Sequence, residues 1–224
     1  MATSRIIDLR KLLAERFPRE PLPPTGRLRT GLSIFDETLA GGLTKGAITE
    51  LISAPGNAGS ATIIAALLQT ACREHSFIAL IDGRDSFDPC GSGGIGGHAL
   101  PYLLWVRCRK ASEAMVAADL LLRDGNFPLV LLDLVLNPVE ELRRIPQSNW
   151  YRLQRLVEPA PTAFLVFTPR SMISSAQWKL SLENRWTLPQ LDWAAADLQG
   201  QLELRLERAQ PNKWRNDGEI AQAG

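Results

Sequence analysis

The residues most able to do chemistry lie in segment 54–61, which joins an apolar strand-like run to an apolar helix-like run. A phosphate-binding loop reads G-x-x-x-x-G-K-[ST]: backbone N–H groups cradle phosphate, the lysine reaches the outer phosphates and the hydroxyl ligates Mg²⁺. Here Gly56 and Gly59 keep the loop glycine-rich, but Ser60 stands where lysine belongs and Ala61 where the hydroxyl belongs. The segment predicts a nucleotide-binding architecture without hydrolysis. Taken alone, it also fits an ordinary turn before a helix.

The elements that position this loop alternate between strand and helix patterns from Thr30 onward. This alternation predicts an α/β fold with a mostly parallel central sheet and helices on both faces. The predicted strands are 47–53, 77–82, 103–106, 129–133, 163–168 and 201–208. The predicted helices are 62–72, 112–123 with Ser112 as N-cap, and 149–157.

Two predicted strands end in a carboxylate, Asp82 and Asp133. In parallel sheets, ligands bind at the carboxyl ends of the strands. We therefore expect both carboxylates at the same edge of the sheet as segment 54–61. Gly56, Gly59, Ser60, Ala61 and Asp133 together form the predicted vestigial nucleotide site.

Three regions are predicted along the chain. Residues 1–27 combine an amphipathic helix, whose apolar stripe runs from Ile6 to Phe17, with a proline-rich arm. Residues 28–208 form the core domain, and residues 209–224 form a polar tail that we expect to be disordered. The helix could dock on its own domain or on a neighbouring subunit, so an oligomer is one interpretation.

Composition excludes several functional classes. The formal net charge of +1 gives no global positive field for nucleic acid or anionic membrane, so we expect any nucleic-acid contact to be local or made through a partner. The three cysteines have no metal-ligand spacing and favour reduced thiols, and no metal site is predicted. Without a signal-peptide pattern or a run of about 20 apolar residues, the sequence predicts a cytoplasmic protein without a membrane span.

The ordered motifs resemble the core of RecA-type ATPases. The likeness covers most of residues 28–170 in collinear order and is carried by residues 30–39, 41–50, 81–89 and 103–105, the helix at 112–123 and the strand ending at Asp133. This resemblance implies a RecA-like P-loop fold.

The same resemblance implies that catalysis is lost. Asp133 matches the acidic residue that would hold the water shell of Mg²⁺, but Arg84 falls where a carboxylate would polarise the attacking water. Thr168 and Pro169 fall where a polar sensor is expected. We expect no ATPase activity and no cofactor, with ATP and Mg²⁺ entering only if the altered loop still binds them.

Four segments, 87–89, 104–107, 123–127 and 130–134, are more similar to the ImuA family than to recombinases. ImuA proteins are RecA-like accessory proteins encoded with an inactive Y-family polymerase homologue in bacterial mutagenesis cassettes. The resemblance implies a non-catalytic role in SOS mutagenesis and translesion DNA synthesis, with that polymerase homologue and RecA as partners. Two alternatives stay open: a SulA-like inhibitor of cell division, and a RecA-like ATPase with a rearranged site.

A cluster of aromatic and basic residues around 150–155 is the candidate partner surface. Trp150, Tyr151, Arg152 and Arg155 are types that dominate protein interfaces, and they can also grip single-stranded nucleic acid. Helical spacing gives a further interpretation, in which Trp150 is a core residue and the arginines are solvated.

Overall fold

The computed structural model describes residues 26–89 and 97–209. Nine strands are formed by the described residues: β1 Arg27–Leu28, β2 Leu43–Thr44, β3 Ala47–Ser53, β4 Ile78–Asp82, β5 Leu103–Arg107, β6 Leu129–Asp133, β7 Ala163–Thr168, β8 Trp178–Leu182 and β9 Leu204–Ala209. The α-helices in the same residues are α1 Ser33–Thr38, α2 Ser60–Arg73, α3 Ala111–Asp124, α4 Val139–Arg143, α5 Gln147–Val157 and α6 Ala195–Gly200.

Seven of the strands form the central sheet, in the order β5-β4-β6-β7-β3-β8-β9. The first six run parallel to one another, and β9 pairs antiparallel with β8 at one edge. Strands β1 and β2 form a separate antiparallel ribbon. The predicted α/β class with a mostly parallel sheet is confirmed.

Alternation along the strands builds two cores, one on each face of the sheet. In β4, Ile78 and Leu80 face the core that contains α2, whereas Ala79 and Ile81 face the core that contains α3 and α5. Successive side chains of a strand point to opposite faces, so an apolar run such as β4 is buried on both sides. Trp150 of α5 is fully buried in the second core.

Several predicted boundaries differ from the structure. Helix α3 begins one residue before the proposed cap Ser112, and its N-cap is Lys110, which has no side-chain capping bond. It ends at Asp124, one residue beyond the predicted limit, and Gly125 after it adopts a left-handed conformation with φ 66°. Strand β9 begins at Leu204 rather than at residue 201.

The sequence patterns missed β8 and the three short helices α1, α4 and α6. Strand β8 contains Lys179, which breaks its apolar pattern, although that side chain is buried. The predicted N-terminal helix and the polar tail after residue 209 lie outside the described residues. The division into residues 1–27, 28–208 and 209–224 stays a prediction.

Candidate functional site

The loop between β3 and α2 lies at the carboxyl edge of the sheet, where the sequence predicts a phosphate site. Its last residue, Gly59, is the N-cap of α2 and has φ 106°. A Cβ atom on Gly59 would approach Leu202 Cδ2 to 2.9 Å. The positive φ strains any residue other than glycine, and the Leu202 side chain would have to shift to admit a Cβ atom. The turn therefore keeps the glycine of a phosphate loop but packs it against a leucine.

Two backbone N–H groups of this loop donate to acceptors within the protein. Asn57 N–H donates to Ala54 O at 2.9 Å, and Ala58 N–H donates to Asn184 O at 2.8 Å. The side-chain amide of Asn57 donates to Leu182 O. A phosphate cradle works through free N–H groups that converge on the anion. Two of the loop's N–H groups have protein acceptors instead.

Asn184 connects this loop to the segment between β8 and β9. Its side-chain oxygen accepts from Glu203 N–H at 2.8 Å, and its side-chain nitrogen donates to Gln201 O. The residue is 4% exposed. Because buried amides are costly unless satisfied, this network holds the chain after β8 against the loop after β3.

The other predicted residues of the nucleotide site lie around this turn. Gly56 is exposed with φ 88°, while Ser60 and Ala61 begin α2. Ser60 brings no positive charge and Ala61 no Mg²⁺-ligating hydroxyl. Together with the occupied N–H groups, these residues do not fit a Mg²⁺–nucleotide complex.

Asp82 ends β4 and organises the loop that follows it. Its carboxylate accepts from the N–H groups of Arg84 at 3.2 Å, Ser86 at 3.0 Å and Phe87 at 2.8 Å. The indole N–H of Trp105 adds a contact at 3.4 Å. A carboxylate with several donors is satisfied in a buried position. Asp82 therefore shapes the loop and is not free to bind a ligand.

Asp133 ends β6 in register with Asp82 on β4. Its Oδ1 accepts from Val135 N–H at 3.0 Å, and the residue is partly buried. Burial raises the pKa of Asp133 to about 6; the Val135 hydrogen bond opposes this rise and the charge of Asp82 adds to it. Asp133 thus lies at the predicted edge, and burial raises the pKa of its carboxyl group well above the usual value.

The positions of Arg84 and Asp85 do not restore a catalytic carboxylate. Asp85 is exposed and forms an ion pair with Arg107, which holds the pKa of Asp85 below its usual value. Arg84 donates to the backbone oxygen of Arg109 at 2.9 Å. Both side chains are therefore engaged with β5 and the residues after it.

Glu50 in the middle of β3 is a buried polar residue that the sequence analysis missed. Its Oε1 accepts from Met172 N–H at 2.7 Å, Ile173 N–H at 3.1 Å and the hydroxyl of Thr168 at 3.2 Å. Lys179 Nζ lies 2.7 Å from Oε2 as an ion pair rather than an aligned hydrogen bond. Glu50 therefore fixes the loop after β7. The signal was a lone acid in the apolar strand Ala47–Ser53.

The structure buries one of the four residues of the candidate partner surface on α5 and exposes the other three. Trp150 is 0% exposed, so its prediction as a partner-binding residue is corrected: its ring packs in the core, as helical spacing allowed. Tyr151 is 49% exposed, and Arg152 and Arg155 are also exposed. Arg152 forms an ion pair with Asp119 of α3 at 2.8 Å.

The described residues contain neither a candidate metal cluster nor a candidate membrane-spanning helix. In residues 26–89 and 97–209, histidine, cysteine and acidic residues do not cluster in threes around a candidate metal position. Within the same described ranges, no helix has the length and apolar character that crossing a bilayer requires.

Known proteins provide relatives for part of the chain. No protein-family model matches it. It is similar to Protein RecA of Frankia alni, with 30% identity over 114 residues that cover 50% of this chain and 32% of the relative. Protein RecA of Leifsonia xyli subsp. xyli is 31% identical over 122 residues, or 54% of this chain and 32% of the relative. Protein RecA of Methylococcus capsulatus is 31% identical over 121 residues, which cover 53% of this chain and 33% of the relative.

The matched segments span about a third of the length of these relatives. The mostly parallel α/β sheet is consistent with this similarity. The chain is therefore an α/β protein with a RecA-like relationship.

Proposed function

We propose that this protein is a non-catalytic RecA-like adaptor in DNA-damage-induced mutagenesis and translesion DNA synthesis. It acts through protein contacts with a Y-family polymerase homologue, with RecA, or with both. The main support is the loop after β3: it keeps the RecA-like position, lacks the lysine and the hydroxyl, and donates N–H groups to Ala54 and Asn184.

Loss of catalysis follows from the chemistry of phosphoryl transfer, which depends on positioned charges around the phosphates. Ser60 and Ala61 supply neither the cation nor the metal ligand, and Arg84 reverses a charge at the activating position. Lys45 is no substitute, because it lies at the amino end of β3, where its N–H donates to Gly26 O. Asp133 alone keeps a catalytic residue type.

The choice of pathway is supported by the likeness of segments 87–89, 104–107, 123–127 and 130–134 to ImuA proteins. Tyr151, Arg152 and Arg155 on α5 are the proposed contact residues, since tyrosine and arginine are enriched in binding hot spots. Nucleic acid is reached through the partners, in keeping with the net charge of +1.

Affinity purification from the native host after DNA damage tests this proposal. The tagged protein is purified from damaged and untreated cells, and the co-purifying proteins are identified by mass spectrometry. We expect a Y-family polymerase homologue or RecA, enriched over a tag-only control. Recovery of the tubulin-like division GTPase instead would contradict the adaptor role and favour the SulA-like alternative.

The absence of catalysis has its own test with purified protein. We expect neither ATP turnover nor nucleotide binding by the natural chain. The double variant Ser60→Lys/Ala61→Thr restores the missing side chains, yet we expect no binding because Asn57 and Ala58 N–H remain bonded within the protein. ATP turnover by the natural chain that Asp133→Ala abolishes would establish a rearranged ATPase.

A further inference from the structure

A groove on the outer side of the helical layer is formed by α3 on one side and by α4 and α5 on the other; we call it the α3–α5 groove. It encloses about 620 Å³. Its apolar lining includes Met115, Val116, Leu120, Ile145 and Leu153. Its charged lining residues are Lys110, Asp119, Glu141, Arg144 and Arg152.

Two apolar residues of this groove are not needed by the fold. Val116 is 62% exposed and Leu120 is 63% exposed, although α3 already packs Ala114, Ala118 and Leu122 into the core. Val116 and Leu120 are four residues apart, so they form one ridge on the helix surface. Adjacent exposed apolar side chains beside a groove mark an interaction site.

The shape of the groove favours a helix over a small molecule. A small-molecule pocket buries most of its ligand among lining residues that are themselves enclosed. Here the two central apolar side chains are mostly exposed, along one turn of α3. An amphipathic helix that lays its apolar face against such a ridge is a recurrent mode of protein recognition.

Charges around the groove decide the chemistry of the partner. Its two lining carboxylates are engaged: Asp119 is bonded by Arg123 and Arg152, each at 2.8 Å, and Glu141 accepts from Ala111 N–H at 2.9 Å. Two nearby arginines hold the pKa of Asp119 below its usual value, so it stays ionised. The groove's own acidic groups are thus already used by the protein.

The remaining lining cations are Lys110 and Arg144. Among the described residues, the ion pairs that the structure forms do not include either of them. We propose that the α3–α5 groove binds an amphipathic helix of a protein partner whose apolar residues contact Val116 and Leu120 and whose carboxylates pair with Lys110 and Arg144. This inference concerns the groove alone and holds whichever pathway the protein serves.

Charge and lining disfavour two other occupants. Residues 1–17 of this chain carry four basic and two acidic side chains, a net charge of +2 that repels the free cations. Single-stranded nucleic acid would match those cations, but its bases bind by stacking on aromatic rings, and the floor of the groove is aliphatic. Binding of either occupant in place of the acidic helix would contradict the proposal.

The first experiment uses the purified full-length chain and a library of 15-residue amphipathic helical peptides. All members share leucines at positions i, i+3, i+4 and i+7, and they differ in having glutamate or lysine at the flanking positions. Selection is made on the natural protein and counter-selection on the variant Leu120→Gln, which removes the apolar contact without adding a charge. We expect glutamate to be enriched. Enrichment of lysine, or no enrichment, would overturn the proposal.

Matched variants then locate the binding of the best peptide by fluorescence anisotropy. Arg144→Glu is compared with Arg143→Glu, because both arginines are exposed but only Arg144 lines the groove. Leu120→Glu is compared with Leu188→Glu, an exposed leucine outside the groove. Circular dichroism verifies that all four variants fold.

We expect Arg144→Glu and Leu120→Glu each to weaken binding by about tenfold or more, and the two controls by less than about twofold. Affinity should fall with added salt because the contact is partly ionic. Equal losses in groove variants and controls would overturn the proposal. So would tighter binding of a peptide comprising residues 1–17, or displacement of the peptide by single-stranded DNA.

Discussion

The carboxyl edge of the sheet and the α3–α5 groove use their polar groups in opposite ways. Three residues hold the loops of this edge through hydrogen bonds within the protein: Asp82, Asn184 and, from the middle of β3, Glu50. In the groove, Lys110 and Arg144 surround exposed aliphatic side chains. The edge that usually binds ligands in sheets of this class therefore holds its own loops in place, and the surface suited to a partner lies on the helices.

Removal of Glu50 should produce the largest effect. We expect Glu50→Ala to lower the free energy of unfolding by about 3–5 kcal/mol, because the charge of Lys179 and the N–H groups of Met172 and Ile173 lose their partner. Urea unfolding followed by circular dichroism measures the change. Glu50→Gln keeps one acceptor oxygen, so it should lose less stability than Glu50→Ala. A loss under about 1 kcal/mol for Glu50→Ala would show that Glu50 does not stabilise the loop after β7.

Replacement of Asp133 should change stability in the opposite direction, because it should raise the free energy of unfolding. Its pKa is raised from 3.8 to about 6, so between these pH values the folded state binds more protons than the unfolded state. Stability is therefore lost as the pH rises through about 6, and the loss is absent below the unfolded pKa. We expect Asp133→Asn, whose amide oxygen can still accept from Val135 N–H, to be more stable than the natural chain by up to about 3 kcal/mol at pH 8.

At pH 4 the natural chain and Asp133→Asn should unfold at nearly the same urea concentration. Asp85→Asn is the matched control, because the ion pair with Arg107 lowers the pKa of Asp85. Asp85→Asn should not be more stable than the natural chain at pH 8. Equal stability of Asp133→Asn and the natural chain at both pH values would contradict the burial of an ionised Asp133.

A smaller loss is expected at the loop after β3. Asn184→Ala should cost about 1–3 kcal/mol, because it leaves Glu203 N–H and Gln201 O without their side-chain partner. Amide hydrogen exchange at Ala58 should also accelerate, since its acceptor belongs to the loosened segment. Asn126→Ala at an exposed position serves as the control. Unchanged exchange at Ala58 would show that the Asn184 side chain does not stabilise the loop after β3.

The smallest effect is expected in the groove. The double variant Val116→Gln/Leu120→Gln should change the free energy of unfolding by less than about 0.5 kcal/mol, because both side chains are exposed and glutamine is a good helix former. Leu122→Ala on the same helix should cost about 2–5 kcal/mol, because Leu122 is 2% exposed. A large loss in the double variant would mean that the ridge supports the fold rather than a partner.

Strand patterns were predictable where burial is uniform. Strands β3, β6 and β7 have the predicted limits, since continuous apolar runs on parallel strands are buried on both faces. Strand β8 was not predictable, because Lys179 looks solvated in sequence and becomes acceptable only beside Glu50. A buried ion pair has no local signature when its members are far apart in the chain.

The sequence predicted where the residues of the candidate site lie, but not which hydrogen bonds they form. Spacing alone located Asp82, Asp133 and the turn at Gly59 at one edge, because strand ends in a parallel sheet share a side. The closure of the turn by Asn184 depends on a contact across more than 120 residues. The burial of Trp150 agrees with the interpretation from helical spacing and not with the partner contact that its residue type suggested.

By itself, the sequence determined the fold class, the glycine-rich turn and the missing lysine and hydroxyl, because these depend on residue type and local periodicity. Only the tertiary structure decided which polar groups are satisfied and which apolar residues remain exposed. Hydrogen bonds such as Asn184–Glu203 and exposed ridges such as Val116–Leu120 arise from packing between distant segments. Their energies depend on burial, which a linear pattern does not specify.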